Sequence, residues 1–213
     1  MIIRYGLSWF VWNVFLAVVP VGLAYTIRLL VNKDGTIRPL LKAPVFILGL
    51  AWLGFLPNTC YLLTEWRHFL NVVQYTDLPS RWHYDPSAAI MLMEFTLFYF
   101  IFSAIGVLAF ALAIRPIAQI AKSRGANLWV WGAPFFLLMS VGVYLGLVLR
   151  FNSWDLIKRP NEVWMSVLQL AFHPTLSLFV LIFAAILWFV YLLIDIWVDG
   201  LMLRLRPRNG RPA

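Results

Sequence analysis

Apolar residues run through this chain in five long blocks, at about 7–31, 43–64, 86–114, 128–149 and 174–198. A bilayer core of about 30 Å asks roughly 20 consecutive apolar residues of a crossing helix, and each block meets that length. The polar segments between them carry turn and cap chemistry. Asn32-Lys33-Asp34-Gly35 reads as a short turn. Asp85 suits the cap and Pro86 the first turn of the third helix, and Asn127 suits the cap of the fourth. Arg115-Pro116, with Lys122 and Arg124, reads as a basic hinge after the third block. The first block lacks the small-residue cleavage pattern of a signal peptide and is expected to stay as a span, with Trp9 and Trp12 at its interfacial end and a kink at Pro20.

Two segments between the blocks have amphipathic helical spacing. Trp66, Phe69, Leu70 and Val73 follow i, i+3, i+4 and i+7, and so do Trp164, Val167, Leu168 and Ala171. Both would lie flat at the interface on the same membrane face, because one joins spans two and three and the other joins spans four and five. Pro174 argues against a helix running unbroken from Val163 into the fifth span. The pattern thus predicts an all-α fold, a polytopic transmembrane helical bundle of five spans with short amphipathic helices on the outer face. The whole of 1–213 forms a single integral-membrane domain with a basic tail at 199–213.

Composition agrees: 62% of residues are hydrophobic and 12% charged, and the mean hydropathy is +0.83, beyond what a soluble domain can bury. Lys+Arg outnumber Asp+Glu by 17 to 9. The excess sits in short connections and the tail, so orientation explains it and nucleic-acid binding is not expected. Eleven of the 17 basic residues fall on one side: Arg28, Lys33, Arg38, Lys42, Arg115, Lys122, Arg124 and the arginines at 204, 206, 208 and 211. The positive-inside rule then puts the amino terminus outside and the tail in the cytoplasm. The lone cysteine, Cys60, excludes an intrachain disulfide and reads as a small buried residue.

Candidate chemistry gathers on the outer face. Asn58, Tyr61, Thr64, Glu65 and His68 share one stretch, and Pro57 frees a backbone carbonyl that Asn58 could satisfy. Glu65-x-x-His68 has the spacing of half a carboxylate-bridged di-metal site, but the chain has no second such pair and no metal is expected. Glu94 lies about 12 Å along the third helix from Pro86, where a carboxylate must be neutral or paired, so it is expected to face the interior. Its candidate partners are His68, Arg150 and Thr64. Arg150-Phe151-Asn152-Ser153-Trp154-Asp155 follows the fourth span. Arg150 suits an anionic headgroup, with Asn152, Ser153 and Trp154 around it and Asp155 as proton acceptor. Candidate catalytic groups are therefore Glu65, His68, Asp85 and Asp155. His83 and His173 form no opposing pair for a haem, and no cofactor is expected, although the aromatic surface suits bound lipid or pigment. Gly142-x-x-x-Gly146 reads as a close helix contact, internal or with another subunit.

Leu56-Pro57-Asn58-x-x-Tyr61-Leu62-x-Thr64, Tyr84-Asp85, and Gly142-Val143-Tyr144-Leu145-Gly146 leading to Arg150-x-Asn152-Ser153-Trp154-Asp155 together resemble a bacterial integral-membrane family, domain of unknown function thirteen sixty-one. The chain departs from that pattern at Leu147, where arginine is common, and at Thr59-Cys60, where small residues and proline are usual. The resemblance implies a bacterial cytoplasmic membrane, or an internal membrane derived from it, and supplies no reaction. The expected function is a non-catalytic subunit or an assembly or stabilising factor of a larger membrane complex. Its partners would be the lipid bilayer and another membrane protein, met through span faces that include Gly142 and Gly146. The alternatives are an outer-face membrane enzyme or lipid-headgroup-binding protein and, third, a small transporter using Glu94.

Overall fold

A computed structural model describes residues 2–32, 34–151 and 155–205. The described residues form helices and connecting turns, with no strand among them. Helix α1 (Ile2–Leu30) makes the first crossing, and α2 (Lys42–Phe55) with α3 (Pro57–Thr64) the second. After α4 (Trp66–Tyr75) and the single turn α5 (Leu78–Arg81) comes the third, α6 (Pro86–Ser123). The fourth is α7 (Leu128–Leu147). Short α8 (Asp155–Lys158) and α9 (Pro160–Phe172) precede the fifth, α10 (Pro174–Leu205). All five crossings are long and apolar enough to span a membrane, so this is a multi-pass membrane protein with an all-helical bundle.

The ends of the helices follow from local chemistry. Asp85 Oδ1 accepts the N–H of Ser87 at 2.9 Å, and Asn127 Oδ1 accepts that of Trp129 at 3.0 Å, the two expected caps. At the far end of α6, Gly125 has φ +78°, and the Ala126 N–H returns to the Ala121 carbonyl at 3.0 Å. That left-handed glycine closes a Schellman turn and reverses the chain into α7. His173 is extended, as a residue before proline prefers, and separates α9 from α10.

Two helices outrun their expected limits. Instead of hinging at Arg115-Pro116, α6 continues to Ser123 with Pro116 buried inside it. One missing N–H is a small loss in a helix of 38 residues whose neighbours hold both sides of the proline. Likewise α10 continues to Leu205, carrying Asp195 and Asp199 with it. On α9 the stripe expected from Trp164 is displaced: Val163 and Leu170 are buried, while Trp164 is 62% exposed. The tryptophan keeps to the outer surface, as interfacial tryptophans do.

Contacts fix the alternating directions of the crossings. Pro57 and Tyr61 of α3 meet Gly142 and Gly146 of α7 in the same order, so spans two and four run parallel. Ser140 Oγ donates to the Val180 carbonyl at 2.8 Å while Gly132 meets Trp188, so α7 and α10 are antiparallel. With Phe10 of α1 against Phe98 and Phe102 of α6, the start of α1 shares one end of the bundle with α4, α5, α8 and α9. The largest core cluster lies between, where Phe136 stacks on Trp188 at 5.9 Å and Trp52 Nε1 donates to the Ala113 carbonyl at 2.9 Å.

Candidate functional site

Proline sets the geometry of the opening motif. Pro57 has no N–H to continue the ladder, so the second crossing breaks at Leu56. The disturbed backbone is answered locally. Asn58 Nδ2 donates to the Phe55 carbonyl at 3.0 Å, and Thr59 Oγ1 donates to that of Leu56 at 2.8 Å. Thr64 Oγ1 donates to the Tyr61 carbonyl at 3.0 Å. Asn58 thus ties α3 back to the end of α2, and Thr64 binds its own helix, as short polar side chains in apolar helices commonly do.

Tyr61 turns instead toward α7. A Cβ on Gly142 would stand 3.1 Å from Pro57 Cγ, and one on Gly146 would overlap the Tyr61 hydroxyl. The small-residue face of α7 is filled by α3 of the same chain, which is the internal form of the contact.

Beyond Thr64 the chain pivots at Glu65, which is 7% exposed. His68 Nε2 lies 3.0 Å from Glu65 Oε2, and Tyr99 of α6 is within electrostatic reach. Next to them Trp66 Nε1 donates to Ser103 Oγ at 2.8 Å, which seats α4 on α6. Trp66 and Phe69 both meet the Tyr99 ring, at 6.1 and 6.0 Å between centroids. Among the described residues no three of His, Cys, Asp and Glu come together as metal ligands.

The other candidate carboxylates also have ion-pair partners close in sequence. Asp85 combines its cap with a pair to Arg81, which also reaches Asp77 at 3.2 Å. The Arg81 guanidinium and the Ser87 amide hold the Asp85 carboxyl below the usual carboxylate range. Asp155, 3% exposed, receives Arg159 at 3.1 Å, and the same guanidinium reaches Glu162 at 3.2 Å and lies 5.6 Å over the Phe151 ring. Arg150 is exposed and has φ +59°, a left-handed backbone, while the next N–H, that of Phe151, turns back to the Leu145 carbonyl at 3.0 Å. Asn152, Ser153 and Trp154 lie outside the described residues.

Glu94 departs from expectation: it is exposed on the outer surface of α6, not turned inward. The expectation measured its depth from Pro86, but Trp66, just past the second crossing, lies level with Tyr99 and Ser103. Glu94 is therefore outward of that level by about 7 Å of helix. Before residue 100 only Ala88 and Tyr99 of α6 are buried, so this part of the helix has few neighbours to turn a carboxylate toward.

A second polar cluster escaped the sequence reading. Arg115 of α6, whose side chain is 12% exposed, reaches Asp195 Oδ1 of α10 at 2.7 Å and the Asp195 carbonyl at 3.0 Å, and also pairs with Asp199. The available signal was Asp195 and Asp199 four apart on one helix face at the basic end of an apolar block. Nearby, Arg124 Nε donates to the Gly35 carbonyl at 2.6 Å and locks the first turn onto the end of α6.

No curated protein and no solved structure gives a significant match to this chain. Residues 12–190, which take in the proline break, the glycine contact and the Arg150 turn, match the family described as Protein of unknown function (DUF1361), and the chain belongs to that family.

Proposed function

We propose that this protein is a non-catalytic component of a bacterial cytoplasmic membrane that assembles with, stabilises or helps to build a larger membrane complex. The observation that carries this reading is the outer third of α6. Pro86 to Phe98 extend past the level of Trp66 by about 20 Å of helix at 1.5 Å per residue. On this extension Ile90, Met93 and Leu97 are 58%, 64% and 56% exposed, around the exposed Glu94. Covering apolar surface that water would otherwise wet is worth about 25 cal/mol per Å², and methionine-bearing faces adapt well to a partner. A second membrane protein that covers the apolar positions and offers Glu94 a hydrogen-bond donor or cation fits this face. By the positive-inside rule the extension stands outside the cell and the Arg-rich tail inside.

Photocrosslinking in native membranes from position 93, with position 182 on α10 as a lipid-facing control, tests the reading. One discrete protein adduct from position 93, lost in Glu94→Ala at unchanged abundance, is expected. Adducts to lipid alone, or a protein adduct indifferent to Glu94→Ala, overturn it.

Buried Glu65 beside His68 favours a second reading, acid-base chemistry at the outer face. It expects Glu65→Gln to abolish complementation of a deletion strain while abundance is kept. Parallel loss of abundance assigns the pair to structure.

A further inference from the structure

A cavity of about 560 Å³ lies between the outer end of α7, one side of α9 and the first turn of α10. That volume is within the range of roughly 300–1,000 Å³ usual for small-molecule sites. Its wall is apolar, with Leu149, Met165 and Phe172. Its polar groups are Tyr144, Gln169, His173 and Ser166, whose hydroxyl already donates to the Glu162 carbonyl at 2.9 Å.

Tyr144 is the informative one. It is 6% exposed and packs against Leu170 and Val180, joining α7, α9 and α10, yet its hydroxyl makes no hydrogen bond among the described residues. The ring is buried while the hydroxyl stays accessible at the cavity, where it can donate to an acceptor from outside the chain. The Gln169 amide and the His173 imidazole, both exposed at the mouth of the same cavity, have no hydrogen bond among the described residues either. Three groups able to donate thus line the groove at the level where the crossing helix α7 ends and α10 begins.

We infer that this cavity is a binding site for one glycerophospholipid. Tyr144, Gln169 and His173 donate to its ester and phosphate oxygens, and an acyl chain lies along Leu149, Met165 and Phe172. The occupant must bring several acceptor oxygens next to a long apolar tail, and at this depth of a bilayer a phospholipid places its ester and phosphate groups beside its acyl chains. The inference does not depend on the assembly reading, which rests on α6.

The test uses full-length protein, delipidated in detergent, titrated with dioleoyl phosphatidylglycerol and read by native mass spectrometry. Wild type should retain a single lipid per chain. Tyr144→Phe with Gln169→Leu and His173→Leu should weaken retention by roughly tenfold or more, as the loss of several hydrogen bonds implies. Leu176→Trp, which narrows the cavity and leaves all three polar groups in place, should weaken it too. Should the triple variant not fold, Leu176→Trp and Gln169→Leu alone decide. Equal retention in all folded variants, or retention of a menaquinone probe in place of the phospholipid, overturns the inference.

Discussion

The ring of Tyr61 fills the space above Gly146: a Cβ added to that glycine would overlap the hydroxyl and stand 2.5 Å from Cζ. Because Pro57 meets Gly142 one turn earlier, α3 and α7 are seated by two small-residue contacts in register. Gly146→Ala must displace the ring or the helix, and overpacking of this kind typically destabilises by about 1–3 kcal/mol. At Gly49 an added Cβ meets nothing, and the same change there should be neutral or stabilising by up to about 1 kcal/mol. Thermal unfolding in detergent separates the two. Equal midpoints for both variants would remove the Tyr61 contact as a packing determinant.

Arg115 joins α6 to α10 through Asp195, with side chains 12% and 19% exposed, and through Asp199, at 62%. Removing one partner of a largely buried pair strands the other charge, so Arg115→Leu should destabilise by about 3 kcal/mol or more. Asp199→Asn, at an exposed position, should change stability by under about 1 kcal/mol. Arg115→Leu combined with Asp195→Leu should recover most of the loss, because the charge then left without its partner is that of the exposed Asp199. Additive losses in the double variant would show that the two residues act independently.

The five apolar blocks, the caps at Asp85 and Asn127 and the break at His173-Pro174 were legible because each depends on neighbours in sequence. Arg115 was not, since its partners lie 80 and 84 residues away and only helix packing brings them together. Glu94 was misjudged for a related reason. Its depth was measured along its own helix, whereas depth in a bundle is set by where the neighbouring helices end. The α7 glycines were recognised as a contact, but choosing between α3 and another subunit required knowing that Pro57 and Tyr61 share their four-residue spacing on the facing helix.

Asp85 gives the start of α6 a pH dependence of definite sign. Its folded carboxyl titrates below the ordinary carboxylate value, through Arg81 first and the Ser87 amide second. A depressed folded value means that the stabilisation is fully present above the ordinary carboxylate pKa, near about 4, and is lost as pH falls through the lower folded value. Hydrogen exchange at the Ser87 and Ala88 amides should therefore accelerate, beyond the intrinsic pH trend, on acidification below about pH 4. In Asp85→Asn, which can still cap but cannot titrate, that extra acceleration should vanish. Its persistence in the variant would assign the acid sensitivity to another group.

Arg150 allows the backbone and the side chain to be tested separately. With φ +59° it holds the left-handed conformation that closes α7, where a residue with a Cβ is less at ease than glycine. The turn is secured on one side by the Phe151 N–H on the Leu145 carbonyl and on the other by Arg159 over the Phe151 ring. Arg150→Gly should therefore keep the turn and raise stability by about 1 kcal/mol or less, while Arg150→Val, branched at Cβ, should lower it by about 1–3 kcal/mol. The strained backbone at an arginine motivates a functional test of the guanidinium, separate from the turn. Arg150→Gly should then show an unchanged or higher melting temperature together with failure to complement a deletion strain. Full complementation by Arg150→Gly would reduce Arg150 to a turn residue.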